Sequence, residues 1–277
     1  MSEKDLISER HVPSTRASLA RQLRDGGLKT GTCVLVHTSM NNLGWIAGGP
    51  IGVIQALTDA IGPEGTLVMP SHTNYLTDPA GWVMPPVPAN WIDTIRNEMP
   101  AYDPAISPTK DMGAVAELFR TWPGVKRSLH PTCSFSAVGI LADKIVADHF
   151  IEDPLGETSP LGKLYAEDAQ ILLLGVAFDV CTMLHLAEQR AWPERPKNIQ
   201  GSPIMEAGRR IWKVYKEPAL IDSRHFLPIG ERLQKEKVVK KFPIGIGEAM
   251  MISSKILVDH AVHYWKTIPP PDDAGRG

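Results

Sequence analysis

A mixed α/β fold, with a largely central β-sheet flanked by helices in a single domain over residues 1–277, is predicted by three features of the sequence. Short apolar runs suited to strands buried on both faces recur at residues 32–37, 65–70 and 169–176. Segments with helical apolar spacing alternate with them, the pattern of βαβ units on a parallel sheet. No internal repeat, low-complexity tract or linker divides the chain, and its composition, 43% hydrophobic and 22% charged, supports a large buried core.

Residues 14–25 set Leu19 and Leu23 on one helical face ahead of a Gly26-Gly27 stop. The run TCVLVH at 32–37 is read as a buried strand. Residues 50–61 carry Ile51, Ile54, Leu57 and Ile61 at helical spacing, with Pro50 at the start and Gly62-Pro63 at the end, the asymmetry a helix prefers. TLVMP, within residues 65–70, is a second buried strand, which completes one βαβ unit. Residues 71–109 break the pattern. They are proline-rich and aperiodic, yet Trp82, Trp91 and Tyr102 oppose disorder, so this long loop is expected to wall a substrate site. Helices are predicted at 112–121 and 142–150, around a strand at 133–138. QILLLGV, in residues 169–176, is another buried strand, ahead of a helix over 182–191. Residues 201–214 read as a hairpin with Arg209-Arg210 near a strand, and the rest of 201–277 as helices.

Composition excludes several function classes. With 29 basic and 31 acidic residues the net charge is -2, which supplies no general attraction to nucleic acid. No apolar run approaches the roughly 18 to 20 residues of a bilayer span. Residues 1–16 are charged and polar, unlike a secretory signal, so a cytoplasmic location is expected. Cys33, Cys133 and Cys181 are widely spaced, with neither a CxxC nor a zinc-ligand pattern. They read as reduced, buried thiols, and no metal is expected. The basic run at 235–241 reads as a solvated helix face.

Four patterns stand where strands end, the place where open α/β sheets collect their active sites. In residues 179–188, DVCTMLHLAE, a helix starting near Thr182 puts His185 and Glu188 on one side, three residues apart. A carboxylate beside an imidazole orients it and raises its basicity, which suits a general base. A helix capped by Thr182 with a buried, hydrogen-bonded histidine has the same spacing. VHTSM at 36–40, followed by GGPIG at 48–52, offers either a phosphate cradle at a helix start or a plain βα turn. It is neither a dinucleotide fingerprint nor a P-loop. Lys126-Arg127-Ser128 before His130-Pro131 reads as a phosphate grip or an exposed loop. Ser159-Pro160 reads as a helix start with a hydroxyl cap. Neither Ser39 nor Ser71 lies in the GxSxG elbow that a serine hydrolase uses.

Taken together these blocks resemble the aminoglycoside 3-N-acetyltransferase family, an antibiotic N-acetyltransferase fold. The resemblance runs from about Val36 to Arg190 through VHTSM with GGPIG, GPEGTLVMPS, YDPAISPT, VKRSLHP, ETSPLGKL, ILLLGV and DVCTMLHLAE. It implies acetyl-CoA as donor, transfer to the 3-amino group of a 2-deoxystreptamine ring in a ternary complex, and a role in antibiotic resistance. It also implies that His185 takes a proton from the attacking amine and that Glu188 holds it. Asp179, Asp78 and Asp103 supply negative charge for a polycationic acceptor, on Coulomb grounds, with Tyr75 in the same substrate wall. His37, Thr38, Ser39, Gly49, Gly52, Thr109, Lys110, Arg127, Ser128 and Ser159 fall in blocks that in the family lie near the CoA. Residues 71–97 depart from the family pattern, so acceptor identity is the looser expectation. The same fold acting on a different small amine, or an aminoglycoside-binding protein without turnover, are the rival readings. Partners are expected to be small molecules, with monomer or homodimer both open.

Overall fold

The computed structural model describes residues 12–271; most of the polar segment 1–16, and residues 272–277, lie outside the described residues. The chain opens with α1 (Arg16–Asp25), where Thr15 and Ser18 side chains each accept from the other's backbone N–H, a reciprocal cap. β1 (Cys33–Thr38), the single turn α2 (Met40–Leu43), α3 (Gly49–Ile61) and β2 (Thr66–Pro70) make the first βαβ unit. Three 3-10 turns and the short helix α4 (Ile92–Glu98) occupy the proline-rich segment ahead of α5 (Gly113–Phe119). Then come β3 (Lys126–Arg127), β4 (Phe135–Gly139), α6 (Ala142–Val146), α7 (Pro160–Ala166) and β5 (Gln170–Leu174). The remainder is α8 (Leu184–Ala191), β6 (Lys197–Glu206), β7 (Arg209–Pro218), α9 (Leu227–Lys235), β8 (Lys240–Ile244), β9 (Gly247–Ser253) and α10 (Ser254–Trp265).

Seven strands form the main sheet in the order β3-β4-β2-β1-β5-β9-β8. β1 runs parallel to both β2 and β5, while β4 and β9 join antiparallel on either side. The parallel strands are apolar throughout because both faces are covered. Cys33 and Leu35 face one layer, Val34 and Val36 the other. α1, α3 and α5 pack on the Val34 side, and α6 to α10 on the Leu35 side. The helix after β1 therefore lies on one face and the helix after β5 on the opposite face, so a crevice opens beyond the carboxyl ends of these neighbouring strands. Among the described residues no helix is long and apolar enough to cross a membrane.

Several segments differ from the sequence expectation. Past the hairpin the chain is not all helical: β8 and β9 extend the main sheet. β8 is an edge strand with Lys240, Lys241 and Pro243, so its apolar signal shrinks to Phe242 and Ile244. The basic run at 235–241 consequently spans the end of α9, a turn with Lys237 at φ 59, and that edge strand, rather than one helix face. The hairpin is longer than expected. Its two-residue turn, Ala207-Gly208, has positive φ at both positions (48 and 76), which matches the twist of the flanking strands. β6 and β7 form a separate two-stranded sheet, tied to the proline-rich segment by Tyr102 N–H donating to Pro203 O (2.9 Å) and Arg210 Nε to Met99 O (2.8 Å).

Candidate active site

β5 turns at Gly175, where φ is 67 and an added Cβ would meet Asn42 Cβ at 2.8 Å, so both conformation and space require glycine. The turn leads into α8, which starts at Leu184 rather than Thr182; Thr182 caps nothing, and its carbonyl accepts from His185 N–H (3.1 Å). His185 and Glu188 project to the same side of this helix. His185 Nδ1 donates to Glu188 Oε2 at 2.7 Å, so in the uncharged imidazole Nε2 is the nitrogen with the free lone pair. That Nε2 has no hydrogen-bond partner among the described residues. Phe226 packs edge-on against the imidazole, with ring centroids 4.9 Å apart.

Glu188 is fully buried and serves three cations or donors at once. Its Oε2 also receives Arg195 Nη1 at 3.3 Å, and its Oε1 lies 2.8 Å from His225 Nε2. Burial by itself pushes a carboxyl pKa up. Here His185, His225 and Arg195 outweigh burial and hold Glu188 at about 2. Sequence spacing found His185 and Glu188 but not His225 or Arg195, which come from beyond the helix.

A cavity of about 340 Å³ opens at the crevice, with three imidazoles, His37, His72 and His185, in its wall. Burial holds His37 at about 4, and burial with repulsion from nearby imidazoles, His185 first, holds His72 at about 3, so both are neutral at pH 7. Their Nε2 atoms are buried without partners. Of the three, His185 alone has a carboxylate partner. The three cysteines are buried, and burial pushes each thiol up to about 12, too high for a thiolate nucleophile.

A second cavity, of about 470 Å³, lies between the proline-rich segment and the hairpin and shares Asn74, Asp111, Cys133 and Leu220 with the first. Glu217, on β7, is in its wall. Burial pushes this carboxyl up to about 7 from an ordinary 4.5, with Gln200 as a weaker opposing neighbour. A raised folded-state pKa contributes stability that is complete below 4.5 and lost as pH rises through 7. Glu217→Gln is therefore expected to unfold at higher urea than wild type at pH 8, by about 3 kcal/mol, a gain that disappears near pH 4.5. An unchanged difference across that range in urea titrations would contradict the shift.

The structure brings some of the sequence-predicted residues together and separates others. His37, Thr38, Asp179 and His185 line the first cavity. Tyr75, Asp78 and Lys110 line the second, but Asp78 is already paired with Arg96 at 2.8 Å. Ser39 faces a shallow outer cleft beside Asp179 and Glu248. Asp103 is in neither cavity wall; it caps Ala105 N–H at 2.8 Å. Gly49 and Gly52 start α3, and Thr109 bonds Glu117 through both its N–H and its hydroxyl at 2.7 Å. Arg127, Ser128 and Ser159 point inward. Arg127 donates to Ser134 Oγ and to the Pro104, Ser107 and Ser71 carbonyls. Ser128 Oγ accepts from Phe135 N–H and donates to His149 Nδ1 at 2.9 Å. Ser159 caps α7, accepting from Leu161 N–H at 3.1 Å and donating to Gly156 O. Ser159→Ala should thus cost about 1 kcal/mol in urea unfolding. A variant as stable as wild type would show that the cap contributes nothing. His72, Asp111 and Glu217 carried no local motif that spacing could reveal.

Residues 35–266 match the family described as aminoglycoside 3-N-acetyltransferase. The chain is 43% identical to the SPbeta prophage-derived aminoglycoside N(3')-acetyltransferase-like protein YokD of Bacillus subtilis (strain 168), over 93% of this chain and 94% of that one. The crystal structure of YokD superposes with a TM-score of 0.92, covering 95% of this chain and 97% of the other. Aminoglycoside N(3)-acetyltransferase VIII of Streptomyces fradiae is 39% identical over 86% of this chain and 82% of its own length. The structure of AAC-IIIb binary with CoASH, 29% identical, gives a TM-score of 0.81 over 94% of this chain and 100% of that chain. With this match over residues 35–266 and relatives up to 43% identical along nearly the whole chain, the chain belongs to the aminoglycoside 3-N-acetyltransferase family.

Proposed function

We propose that His185 is the general base of an acetyl-CoA-dependent transfer to the 3-amino group of a 2-deoxystreptamine aminoglycoside, the family's reaction and a route to resistance. One observation supports this reading above others: of the three imidazoles in the crevice, His185 alone is held by a buried carboxylate while its other nitrogen stays open. An ammonium has no lone pair for attack, so its proton must leave before or during bond formation. His185 Nε2 takes that proton, and Glu188 steadies the resulting imidazolium, as a carboxylate does for a catalytic histidine.

Acetyl-CoA, when bound, supplies the activated acyl carbon. The unpartnered Nε2 atoms of His37 and His72 in the same wall fit a donor molecule with carbonyl groups, since each needs a polar partner when the cavity is filled. His37 and Thr38, at the end of β1, would hold its acyl end. Asp179, Tyr75 and Asp78 would face the acceptor. Arg127, Ser128 and Ser159 act as internal struts beneath the site.

A thiol-release assay with acetyl-CoA and a panel of aminoglycosides, with the product's acetylated nitrogen located by NMR, tests the reading. Release of CoA with acetylation at position 3 supports it. Turnover of other amines alone would move the chain to a different acceptor, and tight aminoglycoside binding without thiol release would make it a binding protein.

A further inference from the structure

We propose that Glu217 anchors a second ammonium group of the acceptor, in a subsite formed by the hairpin and the proline-rich segment next to the catalytic cavity. The inference rests on the amine-acetylation reading and deepens it. Glu217 is more than nine-tenths buried, its Oε2 has no hydrogen-bond partner, and no cation pairs with it among the described residues. Other acidic side chains nearby differ. Asp78 is neutralised by Arg96, Asp103 lies outside both walls, and Asp111, which lines both cavities, is exposed to solvent, whereas Glu217 is buried. A buried carboxylate without a cation is a costly arrangement unless something else supplies the charge.

The second cavity adjoins the first, with Asn74, Asp111, Cys133 and Leu220 in both walls, which sets β6 and β7 beside the His185 cavity, where the other rings of an acceptor would extend. There Asn198 stands directly opposite Glu217 in the hairpin register, and Tyr75 and Trp82 add aromatic surface on the other side. This combination of a buried uncompensated carboxylate, amide groups and aromatic faces selects a cationic amino sugar over a neutral or anionic one. Glu217 is then a specificity-determining residue, remote from the proton transfer at His185.

The test is steady-state kinetics of the full chain with acetyl-CoA and sisomicin, a multi-ring polyamine. Glu217→Gln should raise the sisomicin KM about 10- to 100-fold, the worth of one charge-assisted contact, while kcat falls less than about threefold. The acetyl-CoA KM should move less than about twofold. Asn198→Lys, which sets an ammonium opposite Glu217, should raise the sisomicin KM in the same way and keeps the test alive should Glu217→Gln not fold. An unchanged sisomicin KM in the folded variants overturns the assignment of Glu217 and leaves the His185 reading standing. Equal rises in both KM values, or a loss confined to kcat, overturn it too. Wild-type chain that releases no CoA with sisomicin or any other 2-deoxystreptamine compound overturns both readings.

Discussion

His185→Ala is expected to lower kcat by roughly 10² to 10⁴-fold, the usual contribution of a positioned base, with little change in affinity for acetyl-CoA. The size of the effect follows from what the ring does. Its Nδ1 is committed to Glu188, so Nε2 is the basic atom that faces the cavity, and no other side chain there can replace it. His37 and His72 are nearby, but burial holds them at about 4 and about 3, which makes them poor proton acceptors. Removing His185 leaves binding and alignment intact, so residual turnover should rise steeply with pH as more substrate amine loses its proton unaided. A variant that keeps wild-type turnover at pH 7 would remove His185 from the mechanism.

The sequence made the central strands legible because strands buried on both faces need continuous apolar runs. VLV in β1 and ILLL in β5 can be little else between helical stretches. β8 was illegible for the converse reason: an edge strand keeps charge and proline to avoid pairing, and KKFPI has neither apolar alternation of useful length nor a strand's usual composition. The same division runs through the site. His185 and Glu188 are neighbours on one helix, so a spacing rule finds them. His225 reaches Glu188 from the 3-10 turn before α9, and Arg195 from past the end of α8, contacts that only the fold creates. Ser159-Pro160 announced a cap, and the cap is there. The cations and hydroxyl of Lys126-Arg127-Ser128 were equally visible, but which way they point depends on strand pairing. Arg127 sits in β3 against β4 and turns its guanidinium into the protein.

Glu188→Ala should damage both stability and turnover, because the carboxylate it deletes is the hub of a buried charge network. Arg195, with its side chain 2% exposed, would lose the carboxylate it is paired with, and its Nε and Nη2 already lack partners among the described residues. Breaking a buried pair from one side typically costs about 3 to 5 kcal/mol, since the remaining charge stays buried and uncompensated. That loss should appear in urea unfolding at pH 7. Glu188→Gln keeps the shape and isolates the charge. It should lose less stability yet still reduce kcat by roughly 10²-fold or more, because a neutral amide neither fixes the Nδ1–H tautomer nor steadies an imidazolium. The pH dependence gives an independent check. A pKa lowered to about 2 means that Glu188 contributes stability present above its ordinary 4.5 and lost as pH falls toward 2. The stability gap between wild type and Glu188→Ala should therefore be constant through the neutral range and close in acid. A gap independent of pH down to about 2 would show that packing, and not the carboxylate's charge, sets the cost.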